Sequence, residues 1–411
     1  MSALRPGYKQ TEVGVIPEEW GVEPLSTLLR SRQLGGNYAN TDELSSWPLI
    51  KMGNMGRGSI RLDKVEYVPS DLSVHDRDRL EHGDVLLNTR NTLDLVGKVC
   101  VWRNELPEAY FNSNILRISP NTEKIASPFF LNYMLNSTSS IERIRSLAIG
   151  TTSVAAIYGR DLNGLEIPVP PLPEQQAIAE ALGDADALIE ALEALIAKKR
   201  AIKQGAMQDL LTGHRRLPGF QGEWVEKKLG TCVAIRNEKV PTLGNPVART
   251  CVELEQILPA VGQVDRFEDA AGRNAIKYRF YPDDVLFGRL RPYLRKYWLA
   301  TVDGVCSTEI WPLVAQGGQV AQSFLFHVVQ TEQFIEAASA AYGTHMPRAD
   351  WKMIADSKLR LPPILDEQRA IAAVLSDMDA EIAALEDKLA KARDVKQGMM
   401  QVLLTGEIRL V

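Results

Sequence analysis

At 411 residues, 45% hydrophobic and 24% charged, the chain is long enough for two or three domains with ample cores. Its net charge of −5 excludes indiscriminate electrostatic binding to nucleic acid: residues 1–172 net −2, 217–365 net +1, and the segments 173–216 and 366–411 net −1 and −3. Cys100, Cys232, Cys251 and Cys306 have no paired spacing, so neither a disulfide framework nor a zinc site is indicated. No signal-peptide core or bilayer-length apolar run is present, and the expected compartment is the cytosol.

Residues 1–172 read as a first globular unit of mixed α/β type, opening on GVIPEEW at 14–20. β-like runs follow at Trp47–Met52, Asp84–Arg90, Gly97–Trp102 and Ile115–Ser119, with Gly and Asn turns between them. Phe129–Leu147 has a helical pattern, and Gly150-Thr151-Thr152 then leads to the proline run Pro168–Pro173. Polar candidates sit on the turns: Lys51, Asn54 and Arg57, then Asn88, Thr89, Arg90 and Asn91, then Asn112 and Asn114, and finally Thr151 and Thr152. Asparagine reads adenine bidentately, but it is also a common turn former.

Residues 173–213 read as one long helix. Ile178, Leu182, Ala185, Ile189, Leu192 and Ile196 alternate spacings of four and three, the apolar seam of a coiled coil. Pro173 suits the first helical position, Glu174 the first turn, and Thr212-Gly213 the stop. At 1.5 Å per residue, ~38 residues make a rod of ~57 Å. A further row, Leu188, Leu195 and Ile202, is a candidate partner-binding face.

Residues 214–365 repeat the first frame with different loops. GFQGEW at 219–224 opens the unit, Asp284-Val285-Leu286-Phe287 matches Asp84-Val85-Leu86-Leu87, and a helix at about 323–341 precedes Gly343-Thr344-His345. The loop RLRPYLRK at 289–296 carries Arg289, Arg291, Tyr293, Arg295 and Lys296, with no acidic residue between Val285 and Val302. Arginine reads guanine bidentately, and Arg or Lys also holds phosphates. Composition alone is equally consistent with a solvated cationic loop. Ser307, Thr308 and Glu309, and His345 with Arg348, occupy matching loop positions and are further candidate contacts to bases or phosphates.

Residues 366–411 return to the first long helix at an offset of 193, with 25 of the 41 positions from 173 to 213 identical. A whole-domain period signals duplication. The second seam is Ile371, Leu375, Met378, Ile382, Leu385 and Leu389, and Asp366 can cap the helix. Matching seams predict that the two helices pack antiparallel on each other. The chain end would then return beside the first unit, in a pseudo-two-fold dumbbell.

Walker A, dinucleotide-binding, HExxH and amino-methyltransferase motifs are all missing, and the five histidines are scattered. No catalytic centre, metal or cofactor is expected. GVIPEEW, GDVLL, the paired PPLPEQ and PPILDEQ openings and the two MQxLLTG endings, in this order over nearly the full length, resemble the specificity subunits of type I restriction-modification systems. The resemblance implies two α/β target-recognition domains separated by two long antiparallel coiled-coil helices. It also implies double-stranded DNA, two modification subunits on the helices, and restriction subunits added through the methyltransferase core. The recognition loops are variable in this family, so no base contact carries over. Two other readings remain from the residues: the recognition half of a split or fused methyltransferase, and a coiled-coil adaptor without a DNA role.

Overall fold

The computed structural model describes residues 5–340 and 347–410. Packing divides the chain into two compact units, residues 1–193 with 388–411 and residues 194–387.

Unit one is built on four antiparallel strands in the order Leu29–Leu34, Ile115–Pro120, Val85–Asn88, Val99–Val101. Successive side chains on a strand face opposite ways. Val85 and Leu87 accordingly enter the main core with Phe130, Leu131 and Met134, while Leu86 enters a second core with Ile50, Trp102 and Phe111. Covering both faces accounts for the unbroken apolar run of that strand. Unit two repeats the plan with Val233–Ile235, Ile310–Ala315, Val285–Gly288 and Tyr297–Leu299. Val285 and Phe287 enter its main core and Leu286 the second one.

The single helix expected over Phe129–Leu147 is two, Pro128–Leu135 and Thr138–Ser146. Ser137 causes the break, because its hydroxyl accepts from Ser140 N and starts a new helix. The region expected at 323–341 divides likewise into Gln322–Val328 and Glu332–Ser339, with the Thr331 hydroxyl accepting from Phe334 N.

The long helices are Leu172–Thr212 and Leu365–Leu403, and each unit takes one half of each. In unit one Lys396 pairs with Asp186 and Arg393 with Glu193. In unit two Lys203 pairs with Asp379 and Lys199 with Glu381. Rising numbers on one helix meet falling numbers on the other, so the halves run antiparallel in each unit. Of the expected seam, Leu192, Ile196, Ile382 and Leu389 are buried, Ile178 and Leu182 are buried in the main core of unit one and Ile371 and Leu375 in that of unit two, and Ala185, Ile189, Met378 and Leu385 are half-buried.

The repeated Glu-Gln and Leu-Leu-Thr-Gly motifs close each unit. Glu174 is fully buried, accepts from Trp20 Nε1 at 2.9 Å and is held by Arg409. Glu367 does the same with Trp224 and Arg216, whose Nε donates at 2.8 Å. Gln175 accepts from Ala126 N and donates to the carbonyls of Lys124 and Pro170. Gln368 accepts from Ala321 N and donates to those of Gln319 and Pro362. Gly406 has φ +70°, and a Cβ there would stand 2.5 Å from Pro17. Gly213, at φ +76°, faces Trp224 in the same manner. Both positions require glycine's left-handed freedom and its lack of a side chain.

Candidate nucleic-acid interface

In unit two, three segments converge on the end of the strand Val285–Gly288. Arg289 N donates to Glu309 O at 2.8 Å, Ala349 N donates to Arg289 O at 2.7 Å, and Arg291 N donates to Pro347 O at 2.8 Å. The Arg289 guanidinium lies 5.1 Å over the Trp311 ring, and its Nε is buried without an acceptor. Stacking fixes the plane of the guanidinium while leaving its charge without a carboxylate partner among the described residues. Arg291 is exposed and left-handed at φ 50°, and Tyr293 is 52% exposed. Arg348 Nε reaches both carboxylate oxygens of Glu309 at 3.1 Å. Ser307 accepts from Glu309 N at 3.4 Å, Thr308 is exposed, and His345 lies outside the described residues.

Arg295 and Lys296 do not join this cluster, although they belong to the same loop. Arg295 pairs with Glu332 and donates to Gln330 O at 3.3 Å. Lys296 Nζ donates to Leu254 O at 2.7 Å, and burial lowers its pKa. Both side chains hold the loop in place through these contacts.

Unit one has the same bonding with different side chains. Thr89 N donates to Asn114 O at 2.8 Å and Ile157 N donates to Thr89 O at 2.9 Å, so Thr89 stands where unit two has Arg289 and Asn114 where it has Glu309. Arg90–Asn91 pairs with Ala155–Ala156, which pairs with Ile149–Gly150. Leu93 N donates to Thr152 O at 3.2 Å, so exposed Arg90 and the exposed tip at Thr151 and Thr152 share one surface. Asn91 accepts from Thr92 N at 2.8 Å, and Asn112 accepts from Asn114 N at 3.2 Å.

Four further candidates in unit one belong to its scaffold. Asn88 is fully buried, with Nδ2 on Leu95 O and Oδ1 accepting from Lys98 N. Thr89 is buried with its hydroxyl on Asn114 O. Asn54 accepts from Lys51 N and donates to the carbonyls of Arg61 and Lys64. Lys51 is neutralised by Glu66 at 2.6 Å. A buried amide that already satisfies backbone groups has no hydrogen bond left for a base. Arg57 is partly buried, with Nη1 lacking an acceptor.

The family model for the type I restriction modification DNA specificity domain matches residues 35–200. The putative MjaX specificity subunit of Methanocaldococcus jannaschii is 25% identical over 98% of this chain and 97% of its own length. The EcoDI specificity subunit of Escherichia coli is 24% identical over 68% of this chain and 70% of its own. The S subunit from M. genitalium shares the fold, with a TM-score of 0.62 at 16% identity over 97% of this chain and 99% of that one. Residues 35–200 thus match the family of the type I restriction modification DNA specificity domain, and over its whole length the chain is similar to specificity subunits of type I restriction-modification systems. Its function is DNA sequence recognition in such a system. Specificity subunits in general are non-catalytic, bind DNA and work with methyltransferase and restriction subunits.

For a specificity subunit the helices matter as much as the loops. Leu188, Leu195 and Ile202 are 47%, 38% and 47% exposed, although they lie on a helix whose seam is buried. Among the described residues, no helix is long and apolar enough to cross a membrane, and no group of side chains is suited to hold a metal ion. Sequence reading missed Trp311, which orients Arg289, and the cations Arg61, Lys98 and Arg145 of unit one. An arginine directly after an apolar strand, with a tryptophan on the neighbouring strand, was the sequence signal for the stacked pair.

Proposed function

We propose that each unit reads one half of a bipartite, asymmetric DNA target, and that the chain itself carries out no chemistry. The observation behind this reading is a shared loop framework that bears different chemistry. Thr89, Asn114 and Arg90 stand in unit one where unit two has Arg289, Glu309 and Leu290. Equal frames with unequal side chains favour two different half-sites. Reading is assigned within residues 1–172 and 214–365, and the helices 173–213 and 366–411 act as spacers.

In unit two the contacts are assigned to Arg289, Arg291, Tyr293, Thr308 and the Glu309–Arg348 pair. In unit one they are assigned to Arg90, Asn91, Asn112, Asn114, Thr151 and Thr152. Half-sites read from one face of B-DNA sit ~10 base pairs apart. If each unit reads about three or four, roughly six or seven unspecified pairs remain between them. Methyl transfer and cleavage belong to two modification subunits and to restriction subunits added through them, in the cytoplasm.

The test is a duplex-binding assay of the complex with every base pair substituted in turn. Sensitivity in two separated, unlike blocks is the expected result. One continuous block, or methyl transfer by the chain purified alone, contradicts the proposal. The exposed row Leu188, Leu195 and Ile202 is assigned to the modification subunits. Leu188→Glu with Leu195→Glu should leave the fold intact and weaken assembly on a sizing column, and unchanged assembly removes that assignment.

A further inference from the structure

Arg57 and Arg61 on the Gly-rich turn, Lys98, and Arg145 at the end of the helix Thr138–Ser146 are among the cations of unit one that have no carboxylate partner among the described residues. The fold draws them together from three segments. Gly58 N donates to Val99 O at 2.7 Å, and Lys98 Nζ donates to Met55 O at 3.2 Å, which pins the turn against the strand Val99–Val101. Asn54 closes the turn by bonding Arg61 on both its N–H and its C=O. Arg145 reaches only the Asp94 carbonyl, at 3.5 Å.

The charges are close enough to act on one another. Burial, and then Arg61 and Arg57, lower the Lys98 pKa; burial, and then Arg145, lower that of Arg57. Arg57 Nη1 is also buried with no acceptor. Holding the half-buried Arg57 and Lys98 beside the exposed cations Arg61 and Arg145 opposes folding, and such arrangements mark places built for a counter-charge.

Unit two provides an internal comparison. Asn88 N donates to Lys98 O at 3.0 Å as Gly288 N donates to Lys296 O at 2.8 Å, so the two lysines correspond. Arg61 N donates to Asn54 O as Asp265 N donates to Gln256 O, so Arg61 corresponds to Asp265. Lys51 corresponds in the same way to Glu253, each bonded through its N–H to the side chain three residues on. Glu255 beside Lys296 opposes the effect of burial there, whereas the neighbours of Lys98 reinforce it. Where unit one has the unpaired Arg61, unit two therefore has Asp265, which pairs with Arg266, and Glu253 in the place of Lys51 pairs with Lys277.

We propose that Arg57, Arg61, Lys98 and Arg145 form a seat for a backbone phosphodiester of the DNA target, present in unit one and without a counterpart in unit two. The inference rests on the DNA-recognition reading of the chain. The phosphate would place two or three charge-assisted bonds on cations that the protein leaves unneutralised, and would fix the register in which the loops of unit one meet their bases.

The test uses the full chain assembled with its modification subunits, on duplexes carrying the methylated target, with affinity measured against salt. Arg61→Ala and Arg57→Ala should each weaken binding roughly fivefold near 0.15 M salt, and should lower the slope of log K against log salt by about one. The loss should be equal on all sequences, and Asp265→Ala should not lower the slope. The Arg61 side chain is exposed and makes no hydrogen bond or ion pair among the described residues, so Arg61→Ala decides alone if Arg57→Ala does not fold. Unchanged affinity and slope, with the wild-type complex still preferring its target, overturns the seat and leaves DNA recognition standing. A loss confined to particular base pairs overturns it as well, making these residues base readers. A wild-type complex without sequence preference at any salt overturns the recognition reading and the seat together.

Discussion

Arg289 and Arg295 lie six residues apart in one cationic loop, and the fold gives them different partners. Arg289 is stacked on Trp311 and free to meet a base, so Arg289→Ala should cost ~1–3 kcal/mol of binding and relax specificity in one half-site only. Arg295 is engaged with Glu332 and the Gln330 carbonyl, so Arg295→Ala should lower the melting temperature and leave base preference unchanged. Binding assays on half-site substitutions, run beside thermal melts, check both. His327 gives a separate test of the packing. Its Nε2 lies 3.1 Å from Ser376 Oγ, and burial, followed by the charge of Lys203, pushes its pKa down to about 3. Unfolding restores an ordinary value near ~6.5. The stabilising effect of a neutral buried imidazole is thus complete above pH ~6.5 and falls away as pH drops toward 3, by up to ~1.4 kcal/mol per pH unit. Urea unfolding at pH 7 and pH 5 should show a smaller acid loss for His327→Gln than for the wild type.

At the scale of the element, the repeated Glu-Gln pair joins each long helix to the unit beneath it. Gln175 satisfies three backbone groups from inside the protein, and Gln175→Leu would leave them unpaired. A cost of at least ~2 kcal/mol is expected in denaturant unfolding. Exposed Gln176, which bonds only Glu180, should tolerate alanine within ~0.5 kcal/mol. This difference also marks what was legible in the sequence. The seams, helix ends and duplication were readable because burial imposes a spacing, and spacing survives in the sequence. The break at Ser137 was not, because Ser-Thr-Ser-Ser within an apolar pattern reads equally as a helix interior and as a cap. The loop asparagines were open to two readings for a similar reason. An amide that suits adenine also suits a turn, and only the observed partners of Asn54 and Asn88 decide between them.

At the scale of the whole molecule, the offset of 193 makes the two halves of the chain interchangeable in principle. A chain ending after Pro218 should fold and form a homodimer. Lys203, Leu210, Leu211 and Arg216 of one copy can stand in unit one of the other where Lys396, Leu403, Leu404 and Arg409 stand in the intact protein. Ala206 in place of Met399, on the order of 2–5 kcal/mol at worst, and Asp209 in place of Val402 are the main losses. Light scattering at micromolar concentration checks this, and a monomer would show that the halves are not exchangeable. Such a dimer must read the first half-site twice, inverted. The central claim, one half-site per unit, is tested most directly by mapping methylated bases in a genome carrying the chain with its modification subunits. One asymmetric motif of two unlike blocks separated by roughly six or seven unspecified base pairs is the expected result; a continuous motif, or two identical blocks, would contradict it.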